Sequence, residues 1–196
     1  MSHILVGLGN PGLEYENTRH NTGRIMLECF RKKNDFPDWK SDKKLKALIS
    51  EGKIGKQKAF LAEPENFMNN SGKSIASLVK NKKDAARAVV IYDDLDLPIG
   101  TFKISFNRGS GGHKGLESII KSLKTREFVR MRVGIAPITL SGKIKKPQGD
   151  KAVHDYIIGK FKEKEFEVMK KVSKKVSEAL VMIVSEGREK AMGEFN

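Results

Sequence analysis

The sequence contains a single cysteine, one tryptophan and no apolar run approaching the roughly 20 residues needed to cross a bilayer. A lone Cys29 excludes an internal disulfide, and its place beside Ile25, Met26 and Phe30 at helical spacing assigns it to packing rather than to nucleophilic attack. The first residues enter an apolar run directly, without the charged, apolar and small-residue segments of a targeting sequence, so a soluble, cytoplasmic protein is expected. The four histidines and the cysteine lack the paired spacing that zinc requires, and no Gly-x-Ser-x-Gly elbow presents a serine nucleophile. Metal-assisted and covalent routes lose support accordingly. Repeats, low-complexity tracts and linkers are also missing, and 196 residues with 38% hydrophobic content suit one globular domain spanning 1–196.

Two phosphate-binding motifs are present only in part. Gly7-x-Gly9-x-x-Gly12 follows an apolar run as a dinucleotide fingerprint would, but Pro11 removes a backbone donor and no second strand ends in an acid about 20 residues on. Gly72-Lys73-Ser74 resembles the end of a phosphate-binding loop, yet the first glycine of that pattern falls at Phe67. A helix start is the simpler reading.

The elements that are present alternate. Ile4 to Val6 reads as a buried strand, Leu45 to Ile54 and Lys58 to Ala62 as a hairpin about Gly55, and Ala88 to Tyr92 as a central strand. That central strand ends at Tyr92, leaving Asp93, Asp94 and Asp96 at its exit before the turn at Pro98 and Gly100. Phe102, Ile104 and Phe106 alternate with polar residues, and Val129 to Ile135 makes a further strand. Helices are expected from about Thr22, after Ser71, around Ile119 to Leu123, and from Glu163 to Ser185, where apolar residues recur every three or four positions. Ala136 to Lys151 reads as a long basic loop, of the kind that often forms a lid. The expected fold class is α/β, with a twisted mixed β-sheet flanked by helices.

The net charge of +14 is uneven, since residues 101–150 carry eleven lysines and arginines against three acids. Gathered on one face, Arg108, Lys114, Arg130, Arg132, Lys143, Lys145 and Lys146 could exchange condensed counterions for phosphate contacts, which makes RNA a plausible partner. A solvated face that keeps the protein soluble is the alternative.

Polar groups cluster in the loops: Asn10, His20 and Asn21, then Asn69, Asp93, and the glycine-rich segment about His113. Taken alone, His20 reads better as a cap on the helix that starts near Thr22. Paired with Asp93 it becomes more informative. A carboxylate accepting from one imidazole nitrogen fixes the tautomer and leaves the other nitrogen free to take a proton from water. Such a dyad suits cleavage of a reactive ester.

In chain order, Gly7 to Gly12, Tyr15-x-x-Thr18-Arg19-His20-Asn21-x-Gly23, Phe67-Met68-Asn69-x-Ser71-Gly72, Asp93-Asp94-Leu95-Asp96 and Gly109-Ser110-x-Gly112-His113-x-Gly115 resemble bacterial peptidyl-tRNA hydrolases. The resemblance implies a monomeric, cofactor-free enzyme that cleaves the ester between a peptide and the ribose of the tRNA 3′ adenosine. It implies that His20 activates water, that Asp93 stabilises its protonated form, and that Asn10 reads the blocked α-amino group. Asn69 would hold the substrate near the scissile carbonyl, and Tyr15 and Phe67 would line the groove.

Two positions depart from the family pattern. Lys114 stands where asparagine is more common, and could meet a phosphate, the developing oxyanion or solvent. Tyr92 stands where histidine commonly precedes the acids. Lys103, Arg108 and Arg132 are the candidates for tRNA phosphates. A non-catalytic RNA-binding protein on the same scaffold, like the plant organelle splicing factors that resemble this family, is the rival reading.

Overall fold

A computed structural model describes residues 2–139 and 142–196. Its centre is β1 (His3–Gly7), flanked in parallel by β4 (Gln57–Pro64) and β5 (Ala88–Pro98). Next to β5 lies parallel β7 (Val129–Ala136), and antiparallel β6 (Phe102–Phe106) closes that edge. On the other side β3 (Ala47–Ile54) forms the expected hairpin with β4, and short β2 (Lys40–Asp42) ends the seven-stranded sheet.

The period of two along a strand divides the core into two layers. Leu5, Val89 and Ile91 face α1 (Thr22–Lys33), α6 (Glu163–Glu186) and α7 (Arg188–Phe195). Their neighbours Ile4, Val6, Ala88 and Val90 face α2 (Ser71–Leu78), α3 (Lys82–Ala86) and α4 (Lys114–Leu123). Because β4, β1, β5 and β7 run parallel, their C-terminal ends share one rim, the position where open α/β sheets place their ligands.

One strand departs from expectation: β5 does not stop at Tyr92. Asp93 and Asp94 continue the ladder opposite Val133 and Gly134, and the register shifts only between Asp94 and Pro98. Aspartate is a poor strand former, but neighbour β7 supplies the pairing that local propensity could not foresee. The basic segment is shorter than expected, because α5 (Asp150–Ile158) begins inside it after Gly149. Residues 140 and 141 of that segment lie outside the described residues.

Candidate active site

Helix α1 approaches the sheet so closely that a Cβ on Gly23 would stand 2.2 Å from the Ile91 carbonyl and 2.4 Å from the Leu8 nitrogen. Glycine is required there, and the contact presses the preceding 3-10 turn, Arg19–Asn21, against the strand ends. His20 is thereby buried beside Asp93 on β5. Its Nδ1 lies 3.0 Å from Asp93 Oδ1 and 3.1 Å from Oδ2.

A second imidazole meets the same acid. His113 Nε2 lies 3.1 Å from Asp93 Oδ1, and the His113 ring packs edge-on to Tyr92. The tautomer of His113 follows from its other nitrogen: the Leu116 N–H, in the first turn of α4, points at His113 Nδ1 from 3.4 Å. Nδ1 therefore accepts, Nε2 carries the hydrogen, and that hydrogen goes to Asp93. Burial alone would raise the Asp93 pKa, but the charge and hydrogen bonds of His20 and His113 override it and hold the carboxyl well below the usual range. His20, Asp93 and His113 also bring three possible metal-ligand atoms within 4.8 Å of one another. A metal on His113 Nε2 would need the hydrogen moved to Nδ1, straight into the Leu116 N–H, so the trio is better suited to holding protons.

Above this floor opens a groove of about 1150 Å3 lined by Asn10, Tyr15, Phe67, Asn69, Lys114 and other residues of the rim. Asn10 is fixed on every side but one. Its N–H donates to Asn21 Oδ1 at 2.8 Å, its carbonyl accepts from Asn21 Nδ2 at 2.9 Å, and its side-chain oxygen accepts from the Met68 N–H at 2.8 Å. The Nδ2 hydrogens remain for whatever occupies the groove. Tyr15 and Phe67 meet in a T-shaped contact with ring centroids 6.3 Å apart, and Phe67 leaves over half its surface exposed. Asn69 sits exposed on the 3-10 turn Met68–Asn70, and Lys114 is the exposed first residue of α4.

The cations divide. Arg108 and Arg132 line the groove, as does Lys146, whereas exposed Lys103 sits on edge strand β6 outside its wall. Arg132 pairs with Asp94 at 2.7 Å and Lys146 pairs with Asp96. No side-chain partner engages Arg108 or Lys114 among the described residues, which leaves positive charge on the groove's lip. Arg130 contradicts the expected phosphate face. It is fully buried, donating to the carbonyls of Arg126, Phe128 and Arg108 and stacking 4.1 Å over Phe128, with its pKa pushed by burial down to about 10. This arginine ties the start of the glycine-rich segment to β7.

Several residues that support the site make contacts with no local sequence signal. Arg19 is buried; it donates to the Tyr156 and Gly159 carbonyls, pairs with Glu165 at 2.7 Å and lies 4.3 Å from the centre of the Tyr156 ring. These contacts anchor α5 beside His20. Partly buried Arg24 and buried Glu63 make a second pair, Nε to Oε2 at 3.1 Å with the N–H aimed aside, so the contact is an ion pair rather than an aligned hydrogen bond. Desolvation pushes the Glu63 carboxyl up to about 7 despite the pull of Arg24.

That shift has a consequence for stability. Between the ordinary value of 4.5 and about 7 the folded protein keeps a proton that the unfolded chain has released, so stability falls as pH rises through this window and is level above it. The full cost is about 3 kcal/mol. Glu63→Gln should flatten the decline, so that urea unfolding near pH 5 and near pH 8 differs less in the variant than in the wild type by up to about 3 kcal/mol. Equal pH dependence in both proteins would show that Glu63 does not titrate in this range.

Fold and site together define a class: an α/β protein whose parallel strands deliver a buried, imidazole-bound carboxylate to the floor of a cation-lipped groove. Comparison with known proteins narrows the class. A family model described as peptidyl-tRNA hydrolase matches residues 4–196. The chain is 40% identical over 196 residues to the peptidyl-tRNA hydrolase of Alkaliphilus oremlandii, covering 99% of each, and 39% identical over 194 residues to that of Carboxydothermus hydrogenoformans, covering 98% of this chain and 97% of the other. The crystal structure of peptidyl-tRNA hydrolase from Acinetobacter baumannii superimposes with a TM-score of 0.87 at 29% identity, over 100% of this chain and 94% of that one. The chain belongs to the peptidyl-tRNA hydrolase family.

Proposed function

We propose that this protein hydrolyses the ester joining a peptide to the 3′ ribose of tRNA and so returns tRNA from aborted translation. The observation that carries the reading is the position of Asp93, which fixes His20 through Nδ1 and leaves His20 Nε2 as a base at the foot of the groove. In this mechanism Nε2 takes a proton from water as the water oxygen attacks the ester carbonyl. The carbonyl becomes an oxyanion, which Asn69 and Lys114 are placed to meet from the groove wall. Its collapse breaks the bond to the ribose oxygen, which receives the proton from the His20 imidazolium. Asp93, kept ionised by its surroundings, stabilises that imidazolium.

Asn10 supplies selectivity. An amide nitrogen fixed as a donor pairs with the acyl carbonyl oxygen of a blocked amine and rejects a free ammonium, which lacks that acceptor and brings only more donors. Tyr15 and Phe67 offer ring faces to the terminal adenosine or the peptide backbone, while Arg108, Arg132 and, from the outer edge, Lys103 meet phosphates. On this reading the chain works as one domain over 1–196, as a monomer in the cytoplasm.

The test uses the purified protein with a tRNA charged with an N-acetylated amino acid and the same tRNA carrying the free amino acid. The expected result is release of intact tRNA and N-acetyl amino acid, with the free form cleaved at least about 100-fold more slowly. Binding of both tRNAs without turnover would replace the reading with that of an RNA-binding module.

A further inference from the structure

We infer that Arg24 and Glu63 act as a positioning pair that holds the backbone of Asn10 in place for substrate selection, an inference that rests on the proposed role of Asn10 as reader of the blocked amine. Arg24 Nη1 donates to the Asn10 carbonyl at 3.0 Å, the same oxygen that accepts from Asn21. Two donors on one carbonyl fix the peptide plane from which the Asn10 side chain departs. The stem of Arg24 reaches this point by crossing Gly9, where a Cβ would stand 2.6 Å from Arg24 Cδ. Any side chain at Gly9 would displace the guanidinium.

Glu63 holds the other side of that guanidinium. It lies on β4, with uncharged Leu48 as its ladder partner, and the charges around it come from α1: Arg24, Glu28 and Arg31. Glu28 and Arg31 are committed elsewhere. Glu28 accepts from Arg31 and Trp39 and pairs with Lys32, while Arg31 also donates to the Phe36 and Pro37 carbonyls and to Asp38. Arg24 is thus the cation left to Glu63, and the pair spans from the α1 side of the sheet to the residue that faces substrate.

A buried ion pair adds little stability over a neutral pair of similar shape, and a role in positioning gives this one a use. Selection through a group present equally in bound substrate and transition state is uniform binding, so its loss should raise KM and leave kcat alone. Arg24→Met and the double variant Arg24→Met with Glu63→Gln are the informative proteins. In the first, Glu63 loses the guanidinium that pulls its carboxyl pKa down, so it is held neutral more firmly. In the second no buried charge remains, so folding, monitored by thermal melting, is protected in at least one of them.

For each variant, kcat and KM are measured with N-acetylaminoacyl-tRNA and with free aminoacyl-tRNA, beside Asn10→Ala and Arg24→Lys. The expected result is a loss of about tenfold in the ratio of kcat/KM for the two substrates in the double variant, carried by KM for the acetylated one. Arg24→Lys, which keeps a charged donor, should recover most of the ratio. If Asn10→Ala lowers the ratio while the folded Arg24 variants keep the wild-type value, or lose only melting temperature and kcat, the positioning role is overturned. If Asn10→Ala itself leaves the ratio unchanged, the reading of Asn10 falls and this inference falls with it.

Discussion

His20→Ala lowers kcat for cleavage of an N-blocked aminoacyl-tRNA by about 10²- to 10⁴-fold and leaves KM nearly unchanged, because the base acts on water in the transition state and not on the bound ester. The fold should tolerate the change, since Asp93 keeps its second imidazole, His113, 3.1 Å away. His20→Asn is the stricter version. Its amide nitrogen can stand close to where Nδ1 now donates to Asp93, so the hydrogen bond survives while the proton-accepting nitrogen does not. Single-turnover rates for both variants, measured beside their melting temperatures, separate loss of chemistry from loss of structure. A rate within about threefold of wild type in a folded variant would remove His20 from the role of base, because general-base catalysis of this kind is worth far more than that.

How much of this was legible in the sequence depended on the range of the interactions. The apolar runs of β1 and β5 announced central strands because both faces of a parallel sheet are covered, and Leu5 and Val6 do go to opposite layers. His20 and Asp93 were paired from chemistry alone, and the structure places them in contact across 73 residues of sequence. What could not be read was anything decided by a distant neighbour. The acids of β5 read as an exit because the apolar run stops at Tyr92, yet β7 pairs with Asp93 and Asp94.

Arg130 and Arg132 share a parity on β7, which from sequence alone suits one phosphate face, but only Arg132 reaches the groove. Arg130 turns its guanidinium to three carbonyls that no local pattern reveals. Helix α5 was hidden for a different reason. Val153, Tyr156 and Ile157 repeat at helical spacing, but nine residues within lysine-rich sequence give a weak signal, and the anchor that fixes them is Arg19, far back in the chain.

Asp93→Asn should be nearly as damaging as loss of the base, and the reason lies in His113. An amide at position 93 offers one acceptor oxygen and one donor nitrogen in place of two acceptors. His113 cannot adapt, since the Leu116 N–H on its Nδ1 obliges its Nε2 to donate, so it claims the amide oxygen at the place of Oδ1. The amide nitrogen is then left at the place of Oδ2, 3.1 Å from His20 Nδ1. The oxygen at the place of Oδ1 also lies 3.0 Å from His20 Nδ1 but is shared with His113, so the clash of donors at the nitrogen favours a His20 that accepts there and carries its hydrogen on Nε2, the nitrogen that should take a proton from water. The expected loss in kcat is about 10²- to 10⁴-fold, the wrong-tautomer penalty seen when a histidine-orienting aspartate becomes an amide. Two further measurements bind the explanation to this geometry. Combined with His20→Ala, the substitution should cost almost nothing more, because the two residues act as a unit. Combined with His113→Ala, which frees the amide to turn its oxygen toward His20, it should regain part of the lost rate. A double variant slower than Asp93→Asn alone would show that His113 does not set the orientation of the group at position 93.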